Sequence, residues 1–433
     1  MNGSWRERVT VSMDKLVVEG GRKLKGEVEI SGAKNAALPI LAAALLSEEE
    51  SIVENVPNLR DILTMIRLLH SLGAKAHYEA GTVVVKPGRR LNPVAPYKLM
   101  STMRASVCVL GPLVARVGRA EVSLPGGCVI GPRPIDLHLK GLAALGAKIE
   151  IQHGYVIAKV RRSLRGGDIF LGGSFGSSVL ATGNVMMAAC LASGKTFIQN
   201  AACEPEVVDL ARFLRKMGAK IRGEGSPRIE IEGVKRLTGA RHCIIPDRIE
   251  AGTYMVAAAM TGGDVVIRKS ISDHQNALMD KLSQSGVRVD REEETIRVRR
   301  NGRLRSVDVT TLPYPGFPTD LQAQMMALMA ITPGISVITE KIYPDRFIHV
   351  AELNRMGSRI FLEGASAIVH GVKHLSGAPV TASDLRASAG LLLAGLVGEG
   401  RTEVHRVYHL DRGYERIEEK LSGLGARIWR EKE

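Results

Sequence analysis

Aromatic residues are scarce in this 433-residue chain, and their scarcity counts against one class of function. Phe, Trp and Tyr together make up only 4% of the sequence. Proteins that bind single-stranded nucleic acid stack its bases on aromatic rings, so the composition disfavours that role. The net charge of +14 nevertheless indicates an anionic partner. Small phosphorylated substrates are therefore favoured over nucleic acid.

No apolar segment is long enough to cross a membrane. The longest, residues 36–46, contains Pro39 and is followed by Ser47 and three glutamates, whereas a spanning helix needs roughly 20 apolar residues. Residues 1–12 are polar and lack the apolar stretch of a secretory signal. We therefore expect a cytoplasmic protein without a membrane span. Its length allows two or three domains.

Cysteine pairs and common catalytic motifs are also missing. The five cysteines are widely spaced and form no CxxC pair, which argues against a disulfide framework and a zinc site. No HExxH, no GxSxG with triad spacing and no dinucleotide fingerprint occurs. Gly194-Lys-Thr196 resembles the end of a phosphate-binding loop, but it follows a predicted helix instead of preceding one. We expect neither a metal nor another cofactor.

One cysteine differs from the others in its surroundings. Cys108 and Cys190 lie in apolar helical runs and are expected in the core, whereas Cys128 lies in the Gly- and Pro-rich segment Leu124–Pro134. Such a segment is typical of a surface loop. A thiol there, close to Arg133, could act as an acid or a nucleophile. Equally, the segment could be a turn that happens to contain a cysteine.

A helix-end signature occurs six times, and it is the most informative feature of the sequence. In each copy a glycine precedes Lys or Arg by two positions, and successive glycines are 68 to 73 residues apart. Glycine at this place takes the left-handed conformation that ends a helix. The six glycines are Gly73, Gly146, Gly218, Gly286, Gly357 and Gly425.

Two kinds of helix precede each of these glycines. The nearer one is amphipathic, and the farther one is apolar on all sides, which is typical of a buried helix. The apolar helices are predicted at residues 36–46, 105–115, 184–192, 252–260, 322–331 and 387–397. Short β-rich runs lie between the two helices, as at residues 194–200, 263–268 and 400–406. Six such units predict an α/β protein of two domains, each with three units, helices inside and sheets outside. Residues 241–248 are a plausible crossover between the domains.

Cations stand at the start of several apolar helices. Lys34, Arg104 and Arg386 occupy such positions, where a positive charge opposes the helix dipole. An anionic ligand, with phosphate or carboxylate groups, is therefore expected where these helix starts face each other.

Acidic residues near the same places have simpler explanations. Asp247 and Asp384 are suited to be ordinary helix caps. The Asp-Arg pairs at residues 345–346 and 411–412 precede two amphipathic helices. Either pair could be a surface ion pair or part of the anion site.

Several segments together resemble one family, the UDP-N-acetylglucosamine 1-carboxyvinyltransferases, which are enolpyruvyl transferases of peptidoglycan synthesis. The likeness runs from about Met13 to the C-terminus. The segments that carry it are Ser31–Pro39, Met103–Ser106, Leu124–Pro134, Phe317–Asp320, Asp384–Ser388 and Asp411–Ile417. The resemblance implies two inside-out α/β barrels, each of three βαβαββ units. Residues 34–245 would form the domain with the cysteine loop, and residues 13–33 and 246–433 the other, with an opening and closing motion between them.

The resemblance also implies a reaction and its residues. The enolpyruvyl group of phosphoenolpyruvate would pass to the 3′-hydroxyl of UDP-N-acetylglucosamine by addition and elimination, with release of phosphate. Cys128 would be the general acid, and Asp320 would be the base. Lys34, Asn35, Arg133 and Arg412 would bind phosphoenolpyruvate. The nucleotide-sugar side would be lined by Arg104, Arg133, Pro134, Ile135, Asp136, Leu137, Ser178, Val179, Asp320 and Ile342, with added positive charge from Arg346 and Arg386.

One position departs from the family pattern, and two other functions stay open. Leu180 stands where the family usually has glycine, next to residues expected to touch the nucleotide. The shikimate-pathway enolpyruvyl transferase uses the same donor but lacks the loop cysteine. A basic repeat protein that binds nucleic acid is the alternative from another class.

Overall fold

The computed structural model describes residues 14–124, 135–174 and 176–433. Within these ranges the helices are α1 (Lys34–Ala43), α2 (Arg60–Ser71), α3 (Tyr97–Met100), α4 (Leu110–Val117), α5 (Asp136–Ala144), α6 (Val179–Ala189), α7 (Pro205–Lys216), α8 (Arg248–Thr261), α9 (Asn276–Gln284), α10 (Gln322–Ala330), α11 (His349–Arg355), α12 (Leu385–Val397) and α13 (Ile417–Gly423). Short 3-10 helices occur at Ala44–Leu46, Arg104–Val109, Ser272–Gln275, Thr319–Leu321 and Val407–Arg412.

The strands of the same ranges are short, with two to six residues each. They are β1 (Asp14–Glu19), β2 (Lys25–Glu29), β3 (Ser51–Glu54), β4 (Ala74–Glu79), β5 (Thr82–Pro87), β6 (Val94–Ala95), β7 (Arg119–Ser123), β8 (Lys148–Gln152), β9 (Tyr155–Lys159), β10 (Asp168–Phe170), β11 (Lys195–Gln199), β12 (Lys220–Arg222), β13 (Arg228–Glu232), β14 (Arg241–Cys243), β15 (Asp264–Arg268), β16 (Arg288–Arg291), β17 (Thr295–Arg299), β18 (Val309–Thr310), β19 (Ile335–Thr339), β20 (Arg359–Glu363), β21 (Ser366–His370), β22 (Pro379–Thr381), β23 (Arg401–His405) and β24 (Arg427–Lys432).

The described strands form six four-stranded sheets of one design. In each sheet a parallel pair is followed by two antiparallel neighbours, as in the order β10-β11-β13-β12. The other orders are β6-β7-β9-β8, β14-β3-β5-β4, β16-β17-β15-β2, β18-β19-β21-β20 and β22-β23-β1-β24. Six copies of one sheet confirm the six units predicted from the repeated glycines.

Those glycines end helices as expected. All six have φ between +87° and +102°, the left-handed region that favours glycine. In the first unit, α2 ends at Ser71, and Gly73 turns the chain into β4. The predicted helix stops are therefore confirmed.

The six apolar helices are buried inside the sheets. All residues of α10 are buried, and in α12 the residues from Arg386 to Leu396 are buried. Along β11 and β15, by contrast, buried and more exposed residues alternate, as in a sheet with one face on a core. Helices therefore lie inside and sheets outside, as predicted.

The second apolar helix differs from the prediction. The run predicted as one helix at residues 105–115 begins as the 3-10 helix Arg104–Val109 and becomes α-helical only in α4. Pro112 gives a physical reason, because its ring would clash with the carbonyl of residue 108 in a regular helix and it has no N–H to donate.

Buried apolar residues form two separate clusters. One has members from Ala33 to Ile245, and the other combines residues 16–30 with residues 249–428. β1 lies between β23 and β24, and β2 pairs with β15, so the N-terminal strands belong to sheets of the second cluster. These clusters support the domain limits 13–33, 34–245 and 246–433, which remain a proposal.

The chain passes twice between the clusters. Residues 241–243 of the predicted crossover form β14, which pairs with β3, and the crossing itself follows at residues 244–247. Gly32 and Pro246 pair as an antiparallel bridge. The two crossing segments therefore lie side by side.

Candidate active site

A cavity of about 510 Å³ lies where helix starts from both core clusters meet. Its wall includes Lys34 at the start of α1, Val179 at the start of α6 and Arg248 at the start of α8. Arg386 near the start of α12 and Asp320 in the 3-10 helix Thr319–Leu321 complete the facing side. Backbone N–H groups and positive dipole ends therefore gather around the cavity, which suits an anionic ligand.

Two cations on one wall share a carboxylate. Lys34 Nζ lies 3.2 Å from Asp61 Oδ2, and Arg412 Nε lies 2.9 Å from Asp61 Oδ1. Burial lowers the pKa of Lys34, the attraction of Asp61 opposes this, and Arg386 and Arg412 lower the pKa further. The pair of cations suits a phosphate or carboxylate group, since lysine provides a point charge and arginine a planar fork.

On the facing wall, Asp320 holds two buried arginines. Arg346 Nη1 lies 2.8 Å from Asp320 Oδ1, and Arg386 Nη2 lies 3.2 Å from Oδ2. Burial by itself would lower the pKa of both arginines, but Asp320 and other nearby groups together outweigh this, so the pKa of each is raised above its ordinary value. Both guanidinium groups are therefore permanently charged, and Asp320 is oriented by two partners.

The helix caps expected from the sequence are present. Asp247 Oδ1 accepts hydrogen bonds from the backbone N–H groups of residues 249 and 250 at 2.8 and 3.1 Å. Asp384 Oδ1 accepts from those of residues 386 and 387 at 2.6 and 3.1 Å. Ser178 caps α6 by accepting from the backbone of residue 181 at 3.3 Å. These contacts satisfy N–H groups at the starts of α6, α8 and α12.

Neither Asp-Arg dipeptide forms an ion pair with itself. Arg346 binds Asp320, and Arg412 binds Asp61. Asp411 accepts instead from Arg430, with Nη2 2.6 Å from Oδ1. Both arginines of the dipeptides therefore belong to the cavity wall.

The cavity gathers most of the residues predicted for the site. Described residues that line it are Lys34, Asn35, Arg104, Asp136, Leu137, Ser178, Val179, Asp320, Ile342, Arg346, Arg386 and Arg412. Ile135 is buried next to α5 and is not part of the lining. Cys128, Arg133 and Pro134 lie outside the described residues. Leu180, the departure from the family pattern, also lines the cavity.

Sequence reasoning missed the buried ion pair of Arg248 and Glu206, which joins the two sides of the cavity. Arg248 Nε lies 3.0 Å from Glu206 Oε1, and the arginine also lies over the ring of Tyr314 at 5.6 Å. Burial would lower the pKa of Arg248, but Glu206 and Glu204 together raise it. Burial raises the pKa of Glu204 itself.

The repeats contain a signal for Asp61 and Glu206, two acidic residues of the cavity wall that sequence reasoning did not predict. An acidic residue stands near the start of the amphipathic helix in each unit. These residues are Asp61, Asp136, Glu206, Asp273, Asp345 and Asp411. Comparing this position across all six units would have pointed to Asp61 and Glu206.

Across residues 14–124, 135–174 and 176–433, no cluster of His, Cys, Asp or Glu side chains could hold a metal ion. No helix in that part of the chain is long and apolar enough to span a membrane.

Comparison with known proteins identifies the class to which this fold and cavity belong. The family described as EPSP synthase (3-phosphoshikimate 1-carboxyvinyltransferase) matches residues 18–421, which makes the chain an enolpyruvyl transferase by class. A solved structure, the enolpyruvyl transferase NikO from Streptomyces tendae, matches with a TM-score of 0.87 at 26% identity over 98% of this chain and 100% of that one. EPSP synthase from Acinetobacter baumannii matches with a TM-score of 0.73 at 20% identity over 97% of this chain and 100% of that one, which shows the fold alone.

A curated relative is far more similar in sequence. UDP-N-acetylglucosamine 1-carboxyvinyltransferase from Methylacidiphilum infernorum is 56% identical over 418 residues, which is 96% of this chain and 99% of that protein. The chain therefore belongs to the UDP-N-acetylglucosamine 1-carboxyvinyltransferase family. The expected fold class of two inside-out α/β barrels is confirmed, and the chain is a transferase.

Proposed function

We propose that the chain transfers the enolpyruvyl group of phosphoenolpyruvate to the 3′-hydroxyl of UDP-N-acetylglucosamine, with release of phosphate, as the first committed step of peptidoglycan synthesis. One observation carries the proposal. Lys34, Arg104, Arg386 and Arg412 line a single cavity together with the carboxylate of Asp320. Fixed cations suit a donor and an acceptor that both bear phosphate, and a carboxylate among them suits a base.

The described residues divide into two proposed subsites. We assign phosphoenolpyruvate to Lys34, Asn35 and Arg412, because the two cations lie close together on either oxygen of Asp61. Arg104, Ser178, Val179 and Ile342 lie on the nucleotide-sugar side, where Asp136 and Leu137 also line the cavity. Asp320 lines the same cavity, and it takes the proton from the sugar hydroxyl.

The proposed chemistry has two stages. Cys128 protonates the methylene carbon of phosphoenolpyruvate, and the sugar oxygen attacks the neighbouring carbon as Asp320 removes its proton. The methyl group of the tetrahedral product then returns a proton to the Cys128 thiolate while phosphate leaves with the proton held by Asp320, which restores the double bond and both side chains. Arg133 assists in binding, as expected from the resemblance. Arg346 and Arg386 hold the Asp320 carboxylate in place.

A motion between the two core clusters belongs to the same proposal. The paired crossing segments at Gly32 and Pro246 would act as the hinge. We also propose a cytoplasmic location, supported by the described cysteines Cys108, Cys190, Cys203 and Cys243, which are free thiols.

The test is a phosphate-release assay with the purified chain. We expect phosphate only when phosphoenolpyruvate and UDP-N-acetylglucosamine are both present, with no added metal required. Shikimate 3-phosphate in place of the nucleotide sugar is the matched control for the shikimate-type reaction. Turnover with that acceptor instead would support the shikimate-type function. Absence of turnover with both acceptors would refute the enolpyruvyl transfer proposed here.

A further inference from the structure

A buried polar network joins the three central helices around the second core. Thr253 lies on α8, Gln324 on α10 and Arg386 on α12, and these helices contact one another. Tyr414 follows the 3-10 helix Val407–Arg412 and inserts its hydroxyl among them. The side chain of Tyr414 is only 2% exposed, so its polar end must be satisfied inside the protein.

The donors and acceptors of this network can be assigned in one consistent way. The Thr253 hydroxyl donates to the carbonyl of Ile249 at 2.8 Å, which uses its single proton. The Gln324 amide nitrogen lies 3.1 Å from both the Thr253 and the Tyr414 oxygens, and it donates to both. Tyr414 therefore donates to Thr253 at 2.9 Å. Burial raises the pKa of Tyr414, so the hydroxyl keeps its proton.

This arrangement places Tyr414 against an arginine of the cavity wall. The guanidinium carbon of Arg386 lies 5.3 Å from the centre of the Tyr414 ring, within the range of a cation–π contact. On its other side, Arg386 reaches Asp320 Oδ2 through Nη2 at 3.2 Å and Nε at 3.3 Å. Arg386 is thus held between the tyrosine and the carboxylate.

The same tyrosine is tied to the opposite wall through the backbone. Tyr414 stands two positions after Arg412, whose Nε contacts Asp61. The N–H groups of Gly413 and Tyr414 both donate to the carbonyl of Leu410 at 3.0 Å. A Cβ atom at Gly413 would lie 2.5 Å from a methyl group of Leu385, so this turn packs closely on the start of α12. A shift of Tyr414 would therefore move Arg386 and Arg412 together.

We propose that Tyr414 is a positioning residue, whose hydroxyl network fixes Arg386 against Asp320 and couples that geometry to Arg412. This inference rests on the proposed function, because its effect is measured on turnover. It assigns no contact with substrate to Tyr414. Its hydroxyl matters because Thr253 on α8 and Gln324 on α10 both hydrogen-bond to it, which fixes the ring that Arg386 on α12 contacts.

The test compares two tyrosines of the same core. Tyr254 on α8 is 1% exposed, and its hydroxyl has no hydrogen-bond partner among the described residues. Tyr414→Phe and Tyr254→Phe therefore remove the same atom from similarly buried sites. We expect Tyr414→Phe to lower kcat about tenfold, the scale of one lost hydrogen bond near a charge, with KM for phosphoenolpyruvate within about twofold. Tyr254→Phe should leave both unchanged.

A double-mutant cycle separates positioning from a merely structural role. Once Arg386→Lys has removed the planar guanidinium group that binds Asp320, adding Tyr414→Phe should have no further effect on kcat. The inference would be overturned if the fold-losses in kcat of Arg386→Lys and Tyr414→Phe multiplied in the double variant, or if Tyr414→Phe and Tyr254→Phe had equal kcat. The proposed function would stand in either case. No turnover by the unaltered chain would refute the proposed function instead, and this inference with it. If Tyr414→Phe does not fold, Thr253→Val removes the other end of the hydrogen bond and is read in the same way.

Discussion

Asp61 and Arg412 form an ion pair across the cavity although they are 351 positions apart, with Nε 2.9 Å from Oδ1. Asp61 lies in the first turn of α2, and Arg412 ends the 3-10 helix Val407–Arg412. The same carboxylate contacts Lys34, which is only 7% exposed. One acidic side chain therefore pairs with two cations from different core clusters, at the place proposed for phosphoenolpyruvate.

Replacing this shared carboxylate should destabilise the empty protein. Asp61→Asn keeps the shape but leaves Lys34 without its counter-ion, and removing one partner of a buried pair costs about 3 kcal/mol. Phosphoenolpyruvate supplies negative charge to the same place, so it should raise the melting temperature more in the variant than in the unaltered chain. Thermal melting with and without phosphoenolpyruvate measures both effects.

The matched control is Asp345→Asn, which removes an exposed carboxylate from the lining of the same cavity. It should change neither the melting temperature nor the ligand-induced shift. Equal melting behaviour of the two variants would show that Asp61 is not the counter-ion of the phosphoenolpyruvate subsite.

The role of Cys128 can be tested by replacing the thiol with a weaker acid and with a carboxyl group. If the thiol is the general acid, Cys128→Ser should abolish turnover, because a serine hydroxyl is too weak an acid. Cys128→Asp should keep part of the activity, because a carboxyl group can carry the proton. Phosphate release by the two variants is the measurement. A serine variant as active as the unaltered chain would exclude the general-acid role.

The repeated glycines were enough to predict most of the fold. Each of the six has the left-handed φ that the helix stop requires, and the apolar helices are buried as their composition indicates. The 3-10 start of the second apolar helix was missed, because the effect of Pro112 on preceding residues is not visible in hydrophobic periodicity.

The site was less accessible to sequence reasoning than the fold. The cations at helix starts, such as Lys34 and Arg386, predict an anion site because their charge opposes the helix dipole. Sequence reasoning did not predict Asp61 and Glu206 as site residues, because an acidic residue in the first turn of a helix already interacts favourably with the helix dipole. Only the folded arrangement shows that each also meets a cation from the other core cluster.

A buried histidine should make stability depend on pH. Burial, aided by Arg104, lowers the pKa of His138 from 6.5 to about 3. Its Nδ1 lies 2.8 Å from the side-chain nitrogen of Asn184 and accepts from it. The unfolded chain therefore binds a proton that the folded chain does not, and stability is lost as pH falls from 6.5 toward 3.

His138→Gln offers an acceptor that does not titrate, so it tests this dependence. Between about pH 7.5 and about pH 5, the unaltered chain should lose about 2 kcal/mol more of its unfolding free energy than the variant. Urea denaturation at the two pH values gives the difference. Parallel losses in both proteins would mean that His138 is protonated as readily in the folded chain as in the unfolded one.

The paired crossing segments leave no room for a side chain at one position. A Cβ atom on Gly32 would lie 1.7 Å from the carbonyl oxygen of Asn55, so the backbone itself would have to move. The Asn55 side chain also donates to the carbonyl of Ile244 at 2.9 Å, which ties this turn to the second crossing segment. Gly32→Ala should therefore disturb both crossings at once.

We expect Gly32→Ala to lower the unfolding free energy by about 2 kcal/mol, the usual scale of overpacking. Turnover should fall as well, because Lys34 begins α1 two positions later. Gly167→Ala is the matched control, since a Cβ there meets no atom within 4 Å. Denaturant unfolding and phosphate release are measured for both variants. If Gly32→Ala unfolds and turns over like Gly167→Ala, the crossing segments are not held as closely as their contact with Asn55 requires.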